Sequence, residues 1–457
     1  MYGVVIEKGP QNWQILQQKN GKAVAELCGR VKVEDEVLSF NDKRVIVRVI
    51  DGNTGSRITE LKSAELCGEK WKASVDIPVG GPYTIETYLR YNVNCEKKGD
   101  RIFNIGVGDV YLIAGQSNAV GVGKDAVNDP PSADVHMFRL SGRWDIATHP
   151  LHDTTDTRFP LSEERVRCGH SPWINFAKIL SGRLGYPIGL IPGTKGGIPL
   201  SYWDREEDGK FFDNALAIVR ASGGEIKGIL WSQGCNDTCS EEMRNTYLER
   251  FKRVCEDFRK EFYGDIPIIT VQLNKTTCTK NNNLQELGYN WSIIRDAQRR
   301  AAQEIDGVYI IPSIDLPVCD GIHNSCMSNM VIGERAANIA LKYIYSKQVI
   351  CDAPEIEKAV LSGNKVILYF NNVYDMINAD LNCTDKLMFS VTDSKGRITP
   401  IDYSCPGDNS IELIFDRDID VQAVVNCDGY NDSGLIPYDL YTRLPILPFN
   451  GIKVKNS

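Results

Sequence analysis

The stretch Asp109-Val-Tyr-Leu-Ile-Ala-Gly-Gln-Ser-Asn-Ala-Val-Gly121 decides how the chain is read. Its apolar run, 110–114, stops at Gly115-Gln116-Ser117-Asn118, so a buried strand ends by presenting a serine between two amides. A run of that length bounded by glycines has the pattern of a parallel strand covered on both faces. The polar cluster then lies at the strand's C-terminal end, the edge of an open α/β sheet where ligands bind. Ser117 stands where a nucleophile would, and equally where a serine would cap the following helix.

Outward from this strand the texture alternates. Strand-like runs at 110–114, "YPIGLIPG", "IKGILWSQG", "IPIITVQL" and "GVYIIPSIDLP" are interleaved with helical periods near 173–184, 214–221, 291–304 and 327–345. Thr238-x-x-Glu241 reads as a capping box for a further helix, whose Met243, Tyr247, Phe251, Val254 and Phe258 share one face. Five strands interleaved with helices predict a doubly wound, five-stranded parallel sheet. Residues 1–107 and 351–457 instead show short alternating strands and turn signals, which predicts a β domain on each side of a 108–350 α/β domain. The segment 124–169 has little periodicity, and loops of that length tend to be functional or disordered. In it, or at its edge, fall four of the five histidines: His136, His149, His152 and His170.

Composition excludes several functions. Of 457 residues, 52 are Lys or Arg and 60 Asp or Glu, a net charge of −8 that argues against nucleic-acid or anionic-membrane partners. "MYGVVIEKGPQNWQ" lacks a charged region followed by an apolar one, and no segment approaches 18 uninterrupted apolar residues. The expectation is a soluble chain without a visible export signal, cytoplasmic or secreted, with cytoplasmic favoured. The 14 cysteines are spread out and read as free thiols. Neither Cys235 with Cys239 nor Cys319 with His323 and Cys326 has paired metal-ligand spacing, so no metal or cofactor is expected.

A serine needs a base, usually a histidine held by a carboxylate. His323 in "CDGIHNS" follows the last strand, three residues after Asp320. On a turn, that spacing brings the carboxylate to one ring nitrogen and leaves the other for Ser117, although a D-x-x-H is also an ordinary surface turn. Gly196 or Gly197 in "GTKGGIPLSYW" offers a backbone N–H to an oxyanion, and "LWSQGCND" adds Gln233, Asn236 and Asp237. Each block alone is a turn or cap. Together they place a nucleophile, donors, an acid and a base at one sheet edge.

"GQSNAVG", the glycine-rich second block, "WSQGCND" and "DGIH", in this order, resemble the four blocks of SGNH (GDSL-type) hydrolases, specifically the sialate O-acetylesterase branch of carbohydrate esterases. "WKASVDIPVGGPYTI" and "RLPILPF" are similar to the segments that lead into and close that family's chains. The resemblance implies a flavodoxin-like αβα domain and a metal-free serine esterase that takes acetyl groups from O-acetylated sugars through an acyl-enzyme. It implies Ser117 as nucleophile, His323 as base and Asp320 as orienting acid. The oxyanion donors would be the Ser117 amide, Gly196 and a side chain of the third block. That branch usually reads Q-G-E-x-N or Q-G-E-x-D, and here Cys235 holds the glutamate position, while 234–237 match the wider G-x-N-D. The first alignment selects Gln233, the second Asn236; Gln233 is preferred and Asn236 stays open.

Substrate contacts are expected from Gln116, Asn118 and Trp203, with Trp144 as a further ring face. Arg139, Arg143, Arg158, Arg165 and Arg167 are candidates for a sialate carboxylate. The loops offer no long apolar groove, which favours short acyl groups. An α/β-hydrolase would need G-x-S-x-G, which fails at Ala119, and a nucleotide binder would need a phosphate cradle that is missing. The remaining alternatives are an acetylesterase of plant xylan or mannan and a non-catalytic carbohydrate-binding protein, the latter distinguished by turnover. The sequence is silent on oligomeric state.

Overall fold

Residues Val110 to Ala114 are 0–2 % exposed, so both faces of this run are covered. They belong to the 21-residue strand Cys95–Gly115. Its first half pairs antiparallel with Gly80–Asn92, and its second half runs parallel between Ile188–Pro192 and Gly228–Ser232. The parallel set continues to Val135–Arg139 on one side and to Ile268–Val271 and Val308–Ile311 on the other. Arg143–Ile146 closes the first edge antiparallel. The computed structural model describes residues 3–32, 43–61, 63–92, 95–164, 168–277, 284–379, 388–428 and 436–456.

The expectation of five parallel strands is therefore corrected to six, the addition being Val135–Arg139 inside the segment that lacked periodicity. Its burial explains the omission. Val135 to Phe138 are all buried, and a short strand covered on both faces has no alternation to detect.

Alternate residues of each strand serve opposite layers. Leu112, Ala114, Ile191 and Trp231 pack under the helices Lys210–Ser222, Glu241–Phe262 and Leu284–Glu304. Tyr111, Ile113, Leu190 and Leu230 pack under Trp173–Leu184 and Cys326–Ile339. The chain is thus a mixed α/β protein with several sheets. One cap differs from expectation: Glu241 is the first residue of its helix, Ser240 is the N-cap, and the Thr238 hydroxyl donates to the Cys235 carbonyl at 2.8 Å within a 3₁₀ turn.

Residue 107 falls inside Cys95–Gly115, so the N-terminal β layer and the strand that carries Ser117 are continuous. Asp109, fully buried, ties the junction: it accepts hydrogen bonds from Gln17 (2.7 Å), Tyr186 (2.8 Å) and Tyr345 (2.9 Å). After residue 354 an eight-stranded sheet builds its own core around Leu368, Phe389, Val391, Leu413 and Phe449. Its closing segment docks back on the α/β unit, with Gln272 Nε2 donating to the Pro448 carbonyl (2.9 Å) and Asn450 Nδ2 to Ser292 Oγ (2.8 Å). Among the described residues no helix is long and apolar enough to cross a membrane, and the cysteines are free thiols.

Candidate active site

Gly115 makes the turn that presents Ser117. Its φ is +129°, and a Cβ there would lie 2.1 Å from the Ser232 carbonyl oxygen, so only glycine fits. The Gln116 N–H then donates to that carbonyl (2.8 Å), and Ser117 opens the short helix Ser117–Val120.

His323 lies in the loop between Val308–Ile311 and Cys326–Ile339. Its Nε2 is 2.9 Å from Ser117 Oγ, and its Nδ1 is 2.8 Å from Asp320 Oδ2. Asp320 also accepts the His323 backbone N–H at 3.1 Å, which folds the D-x-x-H into a tight turn. Burial works to raise the Asp320 carboxyl, but hydrogen bonds and charge from His323 outweigh it and hold it below its ordinary value. With a proton on Nδ1 facing the carboxylate, Nε2 is free to accept the serine proton, which is what general-base activation requires.

Asn118 fastens these two loops together. Its Nδ2 donates to the Ile322 carbonyl (3.2 Å), and its Oδ1 accepts the Asn324 N–H (3.1 Å). Asn274 adds bonds to the Ile322 carbonyl (2.9 Å) and to Asn324 Oδ1 (2.7 Å). Asn118, expected to bind substrate, uses its amide on the backbone at either side of His323. Gln116, 4 % exposed, has its amide oxygen turned inward to accept from the N–H groups of Gly234 (3.0 Å) and Asn236 (3.3 Å). It organises the third block rather than facing solvent. Trp203 is fully buried between Phe211 and Trp231, and Trp144 donates Nε1–H to the Ser222 carbonyl, so neither offers a ring face to a sugar.

The two candidate side-chain donors differ sharply. Gln233 is 1 % exposed, and its Nε2 donates to Asp237 Oδ2 at 2.5 Å. Asn236 is half-buried at the edge, with Nδ2 on the Gly197 carbonyl (2.7 Å). Both amides already donate to the protein, and they differ in exposure: Gln233 is buried against a carboxylate, whereas Asn236 reaches the surface, which favours Asn236 as the donor. Asp237 in turn accepts the Leu200 N–H (3.0 Å) and a bond from Arg250 (3.2 Å), which couples the second and third blocks. Gly196 donates its N–H to Glu164 Oε1. Neither Glu164 nor Asn274 carries a sequence signal, since each acts through a fold contact.

A cavity of about 990 Å³ runs from Lys124, whose Nζ is 4.0 Å from Asp320, to Glu164. Among the described residues Arg139, Arg143 and Arg158 do not line it, and Arg139 is paired with Asp145 (2.8 Å). Arg165 and Arg167 lie outside the described residues. One wall holds Asp129, which receives His149 Nε2 (2.8 Å), His170 Nε2 (3.2 Å) and Lys178 Nζ (2.5 Å). Burial works to raise Asp129, and these three donors hold it far below the usual carboxylate range instead. The Ser171 N–H donates to His149 Nδ1 (3.3 Å), so the ring proton is on Nε2, facing Asp129. The cluster ties the segment to helix Trp173–Leu184 through Lys178, and His149 presents an N–H to Asp129.

A family model described as carbohydrate esterase, sialic acid-specific acetylesterase, matches residues 107–342. A probable carbohydrate esterase of Arabidopsis thaliana is 30 % identical over 186 residues, 36 % of this chain and 68 % of that protein. Among solved structures, a carbohydrate acetylesterase from Xanthomonas citri superposes with a TM-score of 0.66, covering 98 % of this chain and 99 % of its own. At 19 % identity that likeness is one of fold.

Proposed function

The chain belongs to the sialic acid-specific acetylesterase family of carbohydrate esterases and is a carboxylic ester hydrolase; from that premise we propose that it removes O-acetyl groups from carbohydrates through Ser117, His323 and Asp320. The observation that carries the reading is the continuous chain from Ser117 Oγ through His323 to Asp320, at 2.9 and 2.8 Å. Ser117 Oγ attacks the acetyl carbonyl carbon while His323 Nε2 takes its proton. Asp320 holds the imidazolium that forms. The Ser117 and Gly196 N–H groups, with Asn236 Nδ2, take the negative charge of the tetrahedral intermediate. Collapse expels the sugar hydroxyl, which recovers the proton from His323. Water, activated by the same nitrogen, then releases acetate from Ser117.

The catalytic unit in this reading is 108–350, an SGNH-type α/β domain, with 1–107 and 351–457 as supporting β domains. The first boundary is one of texture, since a single strand crosses it. Among the described residues Asp125, Asp153, Glu164 and Lys124 line the cavity, and Asp129 in its wall is already paired with Lys178. Membership of this family supports O-acetylated sialic acid as the substrate, with acetylated xylan or mannan as the alternative. Ser117→Ala should remain folded and lose about 10⁴-fold or more in turnover of a small acetyl ester. Wild-type-like activity would remove Ser117 from its role. Acetate release from acetylated xylan, acetylated mannan and O-acetylated sialic acid, measured side by side, decides between these substrates.

A further inference from the structure

Glu164 touches the site at a sensitive place. Its Oε1 accepts the Gly196 N–H, and Gly196 lies so close beneath the carboxylate that a Cβ there would stand 3.2 Å from Oε2. The neighbouring cation does not compete for it: Lys195 Nζ donates instead to the Leu161 (2.9 Å) and Glu163 (2.8 Å) carbonyls. Glu164 also lines the cavity. A carboxylate on that N–H has the charge and the oxygen geometry of both a tetrahedral oxyanion and the acetate product.

We infer that Glu164 is a resident carboxylate of the oxyanion seat, held on the Gly196 N–H in the resting enzyme and displaced by the acetyl oxygen of the substrate. The inference rests on the reading of Gly196 as an oxyanion donor. Burial works to raise the Glu164 carboxyl, with the Gly196 N–H and Lys195 opposing it and burial prevailing. While Glu164 is in place, free acetate is excluded from the seat by charge and by occupancy. Product inhibition is thereby limited.

The experiment is hydrolysis of p-nitrophenyl acetate by wild type, Glu164→Ala and Glu164→Gln, each titrated with sodium acetate. A charge-assisted hydrogen bond that no longer has to be broken corresponds to about tenfold. Glu164→Ala should therefore gain about tenfold in kcat/KM, and its acetate inhibition constant should fall by about the same factor. Glu164→Gln, the isosteric variant least able to disturb the fold, should move both quantities in the same direction by less. Unchanged acetate inhibition together with equal or lower kcat/KM in both variants overturns the inference. Calorimetric acetate binding by Ser117→Ala, with and without Glu164→Ala, reads the seat without turnover. Tighter acetate binding in the double variant supports the seat, and identical binding in the two refutes it. Residual turnover in Ser117→Ala would fault the nucleophile assignment alone.

Discussion

The 319–325 loop and the 124–170 segment both bring histidines to the same edge of the sheet, and they use them in opposite ways. His323, whose side chain is 20 % exposed, has one ring nitrogen on a carboxylate and the other on the hydroxyl of Ser117. His149 and His170 stack on each other, with ring centroids 4.1 Å apart, and both turn Nε2 toward Asp129. His152 is 1 % exposed, with Nε2 on the Ser162 carbonyl. What separates the proposed base from the clamp residues is the partner at the second nitrogen: a reactive hydroxyl in one region, backbone or nothing in the other. The two clamp histidines hold the cavity wall, and His323 faces Ser117.

The largest effect that would sharpen this comparison is in turnover. His323→Ala should lose about 10⁴-fold in kcat, as removal of a triad member does. His149→Ala, once corrected for folded fraction, should remain within about tenfold of wild type. Comparable losses at both positions in steady-state assays would erase the distinction. Next in size is the oxyanion donor. Asn236→Ala should cost about 100- to 1000-fold in kcat. Gln233→Ala should act mainly on melting temperature, because it removes a donor from buried Asp237, and a larger kcat loss there than at Asn236 would reinstate the branch alignment.

The smallest effects are on stability. Asp129→Asn should cost about 3 kcal/mol in denaturant unfolding, the scale for breaking a buried ion pair, with little change in kcat of the folded enzyme. His152 supplies the pH dependence. Burial pushes its pKa down to about 4 from the ordinary value near 6.5. A histidine buried neutral stabilises fully above its unfolded pKa, and that contribution is lost as pH falls from about 6.5 to about 4. The loss amounts to about 3 kcal/mol. His152→Gln should flatten this acid limb in thermal melts between pH 7.5 and 4.5. An unchanged limb would show that other groups set the acid response.

The parts legible in the sequence were those with a local signature. The run 110–114, bounded by glycine, marked the central strand, and the spacing of Asp320 and His323 placed both on one turn. Short-range patterns failed where burial is complete. Val135–Arg139 has no alternation to detect, and Thr238-x-x-Glu241 has the letters of a capping box while its hydroxyl closes a 3₁₀ turn one step earlier. The aromatic and amide side chains misled for a related reason. Trp203, Gln116 and Gln233 are residue types that bind sugars or oxyanions when exposed, and exposure is a property of packing that no single stretch of sequence specifies.

By itself, then, the sequence determined an α/β arrangement, the strand end that presents Ser117, and the pairing of Asp320 with His323, because each depends on residues within one turn or one strand of one another. Only the tertiary structure decided the rest. Asn118 meets Ile322 and Asn324 across some 200 positions of chain, Gln116 meets Gly234 and Asn236, and Glu164 meets Gly196. These contacts join loops from different strand ends, and their geometry follows from strand order and sheet twist, which act over the whole domain rather than along the chain.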